Sequence, residues 1–261
     1  MRILLFDLET APNKGYIWSL WNEVRSADFL TNHWHILCWS AKWLGEKKIH
    51  HASLPQFKNY KKNKEDDSAL IKPLWELLNE ADIVIAHNGS KFDRKKINTR
   101  ILLNNMRPPR PYKMIDTLQH ARQQFAFTSN RLDDLGKFLG VGEKIKNSGI
   151  SLWDGCLKGD KKCWKEMITY CDGDITLLEK VYLKIRPFIL NHPSVILDER
   201  GDKELCPKCK SDRLTKDGHR YTRIGKFQRF YCKDCGGPGT SSLNKLPKEE
   251  RKIKLTMNLV N

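Results

Sequence analysis

Ile3-Leu4-Leu5-Phe6-Asp7-Leu8-Glu9-Thr10 decides how this chain is read, because an apolar run with the character of a central strand carries two acidic residues. Alternation along a strand places residues i and i+2 on one face, so Asp7 and Glu9 project together. Like charges so close repel, and holding them in a low-dielectric setting is costly unless a cation compensates. Clustered oxygen ligands of this kind suit magnesium or manganese.

Two further acidic segments follow in order. Asn88-Gly89-Ser90-Lys91-Phe92-Asp93 comes directly after Ala81-Asp82-Ile83-Val84-Ile85-Ala86-His87, a strand signal that ends in turn chemistry. Asp93 then opens a helix expected to run through Leu103. Tyr170-Cys171-Asp172-Gly173-Asp174 lies inside a helical pattern over residues 161–189, where Tyr170 and Asp174 are i and i+4 and share a face. Asp172 falls off that face and reads as a solvated helix residue. Asp116 reads as a helix N-cap, and His87 as a satisfied polar contact. The four acidic groups Asp7, Glu9, Asp93 and Asp174 balance the charge of two divalent ions, which in such pairs activate a water and stabilise the leaving oxygen of a phosphodiester. Tyr170, with an ordinary pKa near 10, is expected to orient that water rather than deprotonate it.

The ordered patterns Asp-x-Glu-Thr, Asn-x-x-x-Phe-Asp and Tyr-x-x-x-Asp resemble the three exonuclease motifs of the DEDD (DnaQ-like) 3′–5′ exonucleases, in the subgroup with tyrosine in the third motif (DEDDy). The likeness is closest to the proofreading domains of DNA polymerases and extends over residues 1–190. It takes in Met114-Ile115-Asp116-Thr117-Leu118 and Leu132-Asp133-Asp134-Leu135-Gly136-Lys137-Phe138-Leu139-Gly140. The resemblance implies an α/β, ribonuclease H-like mixed sheet flanked by helices, two-metal hydrolysis by Asp7, Glu9, Asp93, Tyr170 and Asp174, and 3′–5′ polarity. It also implies substrate contacts at Asn88 and Phe92.

Cys206-Pro207-Lys208-Cys209 and Cys232-Lys233-Asp234-Cys235 have the paired spacing of a four-cysteine zinc site, one structural Zn2+ held by two tight knuckles. Residues 214–231 between them are interrupted at Asp217-Gly218 and Ile224-Gly225, and read as short strands of a zinc ribbon. This stretch holds too few apolar residues for a core of its own, so metal binding is expected to supply much of its folding free energy. The ribbon, from its Cys-Pro-x-Cys start to Arg229-Phe230-Tyr231-Cys232-x-x-Cys235, resembles the short DNA-binding zinc ribbons found in transposition-related and other nucleic-acid proteins. Cys38, Cys156, Cys163 and Cys171 are scattered, and the cysteine usage as a whole suits a reducing, cytoplasmic setting.

Lys plus Arg number 47 against 31 Asp plus Glu, a net charge of +16. Residues 199–261 hold 16 basic and 8 acidic groups, so positive charge is densest at the C-terminal end. Arg220, Arg223, Lys226 and Arg229 alternate there with Tyr221, Phe227, Phe230 and Tyr231. Cations for phosphates beside aromatic faces for bases is the pattern of single-stranded nucleic-acid binding. Trp18 and Trp21 lie after the first motif, where packing under the loop is expected ahead of base stacking.

These readings divide the chain into an exonuclease domain at 1–190, a linker at 191–203, a zinc ribbon at 204–240 and a basic polar tail at 241–261. The expected function is removal of nucleotides from the 3′ end of single-stranded DNA, with no membrane span. Without a polymerase domain in the sequence, that activity is expected to act in trans beside a polymerase, or in DNA repair, replication, recombination or degradation. An exoribonuclease, a structure-specific endonuclease and a catalytically silent nuclease-like scaffold beside a nucleic-acid-binding ribbon stay open.

Overall fold

The computed structural model describes residues 1–18, 26–197, 204–222 and 225–251. Trp21, Arg223, the 198–203 part of the expected linker and the tail beyond 251 lie outside the described residues. The chain separates into two compact units, Arg2–Tyr182 and Leu183–Asn261.

The first unit is a mixed α/β sheet with helices. Its strands are β1 (Ile3–Thr10), the short pair β2 (Lys14–Gly15) and β3 (Leu30–Asn32), then β4 (Ile36–Trp43), β5 (Ile49–Ser53), β6 (Ile83–Ala86) and β7 (Lys113–Asp116). Its helices are α1 (Ser68–Glu80), α2 (Asp93–Leu103), α3 (Thr117–Gln124), α4 (Leu132–Phe138), α5 (Ile150–Lys158) and α6 (Lys161–Ile185). The five-stranded sheet has the order β5-β4-β1-β6-β7, with β4 antiparallel and β6 parallel to the central β1. Leu4, Phe6 and Leu8 of β1 enter the core, whereas Asp7 and Glu9 are only half-buried on the other face. The period-two reading of that strand therefore holds. All four residues of β6 are buried, as expected for a parallel strand covered on both faces.

The core is closed by two amphipathic stripes. Leu70, Leu74 and Leu78 bury one face of α1, and Trp164, Met167, Cys171, Ile175, Leu178 and Tyr182 bury one face of α6 at spacings of three and four. The α6 helix ends at Ile185 and tightens into a 3-10 turn at Arg186–Phe188, earlier than the 161–189 pattern suggested. Pro187 explains the stop, because it has no N–H to continue the ladder.

The second unit carries a three-stranded antiparallel sheet, β8 (Leu214–Thr222), β9 (Gly225–Cys232) and β10 (Pro238–Asn244), in the order β10-β9-β8. Asp217-Gly218, read from the sequence as an interruption, is a bulge inside one continuous strand. The pairing register shifts between Lys216 and His219, and Gly218 adopts φ +63°. Strand β10 runs on to Asn244, so residues just past 240 belong to this sheet rather than to a tail. Cys206, Cys232 and Gln228 are among its few buried side chains, which leaves the sheet without an apolar core of ordinary size.

Candidate active site

Strand β1 and helix α6 together build an acidic centre. One carboxylate oxygen from each of Asp7, Glu9 and Asp174 lies within 4.8 Å of the others. Asp93 stands beside them at the start of α2, where it accepts the Leu8 N–H at 3.3 Å, but its oxygens are outside that tight set. Burial, then repulsion from Asp93, Glu9 and Asp174, pushes Asp7 well above the usual carboxylate range. Burial and Asp174 push Glu9 up to about 8, and burial pushes Asp93 up to about 7. Asp174 is also raised by burial, and its Oδ1 is buried with no hydrogen-bond partner. Hard oxygen donors that repel one another, with one of them unsatisfied, fit a divalent cation such as Mg2+ or Mn2+.

Lys144 is the cation that sequence reasoning missed. Its Nζ donates to Asp174 Oδ2 at 2.5 Å and to Tyr170 Oη at 3.0 Å, and lies 5.1 Å from the Tyr170 ring centroid. Burial works against its charge, yet attraction to Asp174 and the hydrogen bonds to Asp174 and Tyr170 hold its pKa above the ordinary lysine value. Its backbone is pinned by a 2.7 Å hydrogen bond from Lys144 N to Asp133 Oδ1. Lys144 engages Oδ2 of Asp174 and leaves its Oδ1 without a partner. Tyr170 itself is pushed up to about 12 by burial and by Asp174, so it stays protonated at neutral pH.

The turn that delivers Asp93 is organised by Asp116. This buried carboxylate accepts Asn88 N at 2.9 Å, Ser90 N at 3.0 Å and Leu118 N at 3.1 Å, capping α3 while it shapes the Asn88 turn. Asn88 sits in the left-handed region at φ 67°, and a Cβ on Gly89 would lie 2.4 Å from both Ala86 Cβ and Met114 Cε. His87 is a satisfied contact, engaged at both ring nitrogens by Thr117 and Asn130. Asp172 corrects the sequence reading. It is not simply solvated: its carboxylate accepts Ser40 Oγ at 2.6 Å and contacts His51 Nδ1 at 3.0 Å. A side chain on the flank of α6 next to β4 and β5 meets the sheet before it meets water.

The other sequence candidates are distributed between the two units. Phe92 precedes α2 with 38% of its surface exposed, and Trp18 is 77% exposed with an edge contact to Phe29, so it is not packed beneath its loop. Arg220 and Arg229 are exposed on β8 and β9, Lys226 lies 5.9 Å from the Tyr221 ring centroid, and Arg229 Nε donates to the Asp217 carbonyl. Cys206, Cys209, Cys232 and Cys235 converge within 4.8 Å, with sulfur separations of 3.7 Å for Cys206–Cys235 and 3.6 Å for Cys209–Cys232. A zinc tetrahedron with Zn–S of about 2.3 Å has edges of about 3.8 Å. The cluster is therefore compatible with one structural zinc. All eight cysteines are free thiols.

The sequence pattern of the RNase_H superfamily matches residues 41–186, more than half of the chain. The chain belongs to the RNase H superfamily. The match begins after β1, so Asp7 and Glu9 join this superfamily domain through the sheet, as its central strand. Among solved structures, the family B DNA polymerase from the hyperthermophilic archaeon Pyrobaculum calidifontis is similar, with a TM-score of 0.52 at 14% identity, over 72% of this chain and 25% of the polymerase. At that identity the likeness concerns the fold. The search of curated proteins returns no match. No helix among the described residues is long and apolar enough to cross a membrane.

The raised carboxylates of this RNase H-like site give a pH dependence. Asp7, Glu9 and Asp93 hold protons in the fold to higher pH than in an unfolded chain. Their contribution to metal-free stability is thus fully present below the ordinary carboxylate pKa near 4 and is lost as pH rises through about 7–8. Magnesium needs the ionised oxygens, so its binding strengthens across the same interval and releases protons. With zinc retained throughout, added magnesium is expected to raise the melting temperature clearly at about pH 8.5 and little at about pH 6. Equal shifts at both values, read by scanning fluorimetry, would rule out this cluster as the magnesium site.

Proposed function

We propose that the chain is a metal-dependent 3′–5′ exonuclease of the DEDDy kind acting on single-stranded DNA, aided by a zinc ribbon that holds nucleic acid. The observation that carries this reading is the convergence of Asp7, Glu9 and Asp174 beside Tyr170 and Asp93. When bound, a pair of Mg2+ or Mn2+ ions supplies the charge for activating water and for the leaving 3′ oxygen. Asp7, Glu9, Asp93 and Asp174 hold that charge. Tyr170 keeps its proton and offers its hydroxyl to orient the attacking water, since a phenol with a pKa of about 12 is a poor base. Asp116 keeps the Asn88 turn in place so that Asn88 and Phe92 face the strand. In the ribbon, Arg220, Arg223, Lys226 and Arg229 meet phosphates.

A second reading draws on Lys144. Its ammonium already neutralises part of the carboxylate charge, as a silent nuclease-like scaffold serving a nucleic-acid-binding ribbon would require. Two end-labelled single-stranded DNA oligonucleotides with magnesium or manganese separate the readings, with RNA of the same sequence alongside. Immediate release of a 3′ label and a ladder from the 5′-labelled strand are the expected results. Strands bound but left intact with either metal favour the scaffold, and cleavage of circular single strands points to an endonuclease.

A further inference from the structure

We propose that the cleft opening beside Lys144 is a channel for a single-stranded stretch of the substrate, with Arg122 and Arg131 on its phosphates and Phe127 and Phe138 under its bases. This rests on the nuclease reading, because it assigns the path of the strand that the acidic centre cuts. The cleft encloses about 630 Å3 and is lined by His87, Asn88, Arg122, Asn130, Arg131 and Lys144, among others. Lys144 is the residue that bonds Tyr170 and Asp174, so the inner wall of the cleft is the edge of the acidic centre.

The charge of the cleft is set by its arginines. His87 is held neutral, its pKa pushed down to about 4 by burial, and Asp133 is already engaged by Lys137 Nζ and by the Lys144 N–H. Arg122 and Arg131 are exposed, and neither guanidinium has an ion-pair or hydrogen-bond partner among the described residues. Asn130 adds a buried Oδ1 without a partner. One residue along from Thr128 of the cleft wall, the Phe127 ring lies parallel to Phe138 with centroids 5.9 Å apart, and Phe138 is 54% exposed. Free guanidiniums leading to an apolar ring left in water is the pairing that unpaired nucleotides use, phosphates on cations and bases on rings. A duplex keeps its bases stacked inside and offers such a ring nothing. A single strand is therefore the occupant.

The test uses the full chain with its zinc and no added magnesium or manganese, so that cutting does not interfere. Binding of a fluorescein-labelled hexathymidylate is followed by anisotropy against salt. The Arg122→Ala/Arg131→Ala variant is expected to bind at least about tenfold more weakly, with the slope of log K on log salt shallower by about 1.4, two phosphates at about 0.7 each. Phe138→Ala is expected to lose about tenfold without a change in slope. A 5-iodouracil strand should cross-link to Phe127 or Phe138. The substituted Arg122, Arg131 and Phe138 are all exposed, and an Arg220→Ala/Lys226→Ala variant reports the ribbon separately. Wild-type affinity and slope in both cleft variants, with cross-links confined to the ribbon, overturn the channel. Adding magnesium or manganese afterwards tests the reading beneath it. A strand held in the cleft but never cut leaves the channel standing and removes the nuclease, whereas cutting with an unchanged KM in both variants does the reverse.

Discussion

Asp7→Asn is expected to lower the proposed release of 3′-terminal nucleotides by about three orders of magnitude, ~4 kcal/mol of transition-state stabilisation, while leaving the fold as stable as before. The first half follows from chemistry. A neutral amide cannot balance a divalent ion, and Asp7 sits at the centre of β1 with Glu9 and Asp174 within ligand distance. The second half follows from electrostatics. Burial and three neighbouring carboxylates already drive Asp7 toward its neutral form, so an uncharged isostere removes repulsion rather than attraction. Activity lost with an unchanged or higher melting temperature in the metal-free protein is the expected pair of results. Asp174→Asn should abolish activity just as far but behave differently in stability, because it strips Lys144 of its carboxylate partner. If Asp7→Asn cuts at the wild-type rate, the acidic centre has no part in hydrolysis.

Removing zinc should have the largest effect on folding, confined to the ribbon. The three-stranded sheet has few buried side chains beyond its cysteines, and structural zinc contributes about 10–16 kcal/mol of apparent binding free energy in small zinc modules. Cys206→Ser or Cys232→Ser should therefore drop bound zinc from one per chain towards none, and open residues 204–244 to proteolysis. Under the proposed division of labour, cleavage of a dinucleotide then persists while affinity for a strand of about twenty nucleotides falls at least about tenfold. Metal content by mass spectrometry, limited proteolysis and two substrate lengths measure this. An intact, protease-resistant ribbon without metal would mean that the four thiols are not a zinc site.

Much of the site is legible in the sequence because its spacing is local. Asp7 and Glu9 share a face through a strand's period of two, Tyr170 and Asp174 through a helix's i, i+4, and the four cysteines through two knuckles. The mixed sheet follows from the same apolar runs. Lys144 and the sheet contacts of Asp172 carry no such signature. Lys144 stands in a charged, glycine-flanked segment that reads as solvated surface, and only the packing of that segment against α6 brings it to Asp174. Asp116 is legible as an N-cap, but its hold on Asn88 and Ser90 depends on two strand ends lying side by side. The bulge at Gly218 was hidden because glycine marks an interruption and a register shift alike.

The grip of the sheet on Asp172 sets the mechanical tolerance of the acidic centre. Side chains on a helix reach about 5–6 Å from its axis, so a rotation of about 10° carries a carboxylate tip through ~1 Å. A displacement of that size at a reacting group is enough to cost about a hundredfold in rate. Ser40 and His51 hold Asp172 on one flank of α6, and Lys42 holds Glu179 two turns further along the same helix. Two clamps along one axle remove its freedom to spin. The aim of Tyr170 and Asp174 is thus fixed from the flank of α6 that lies against the sheet.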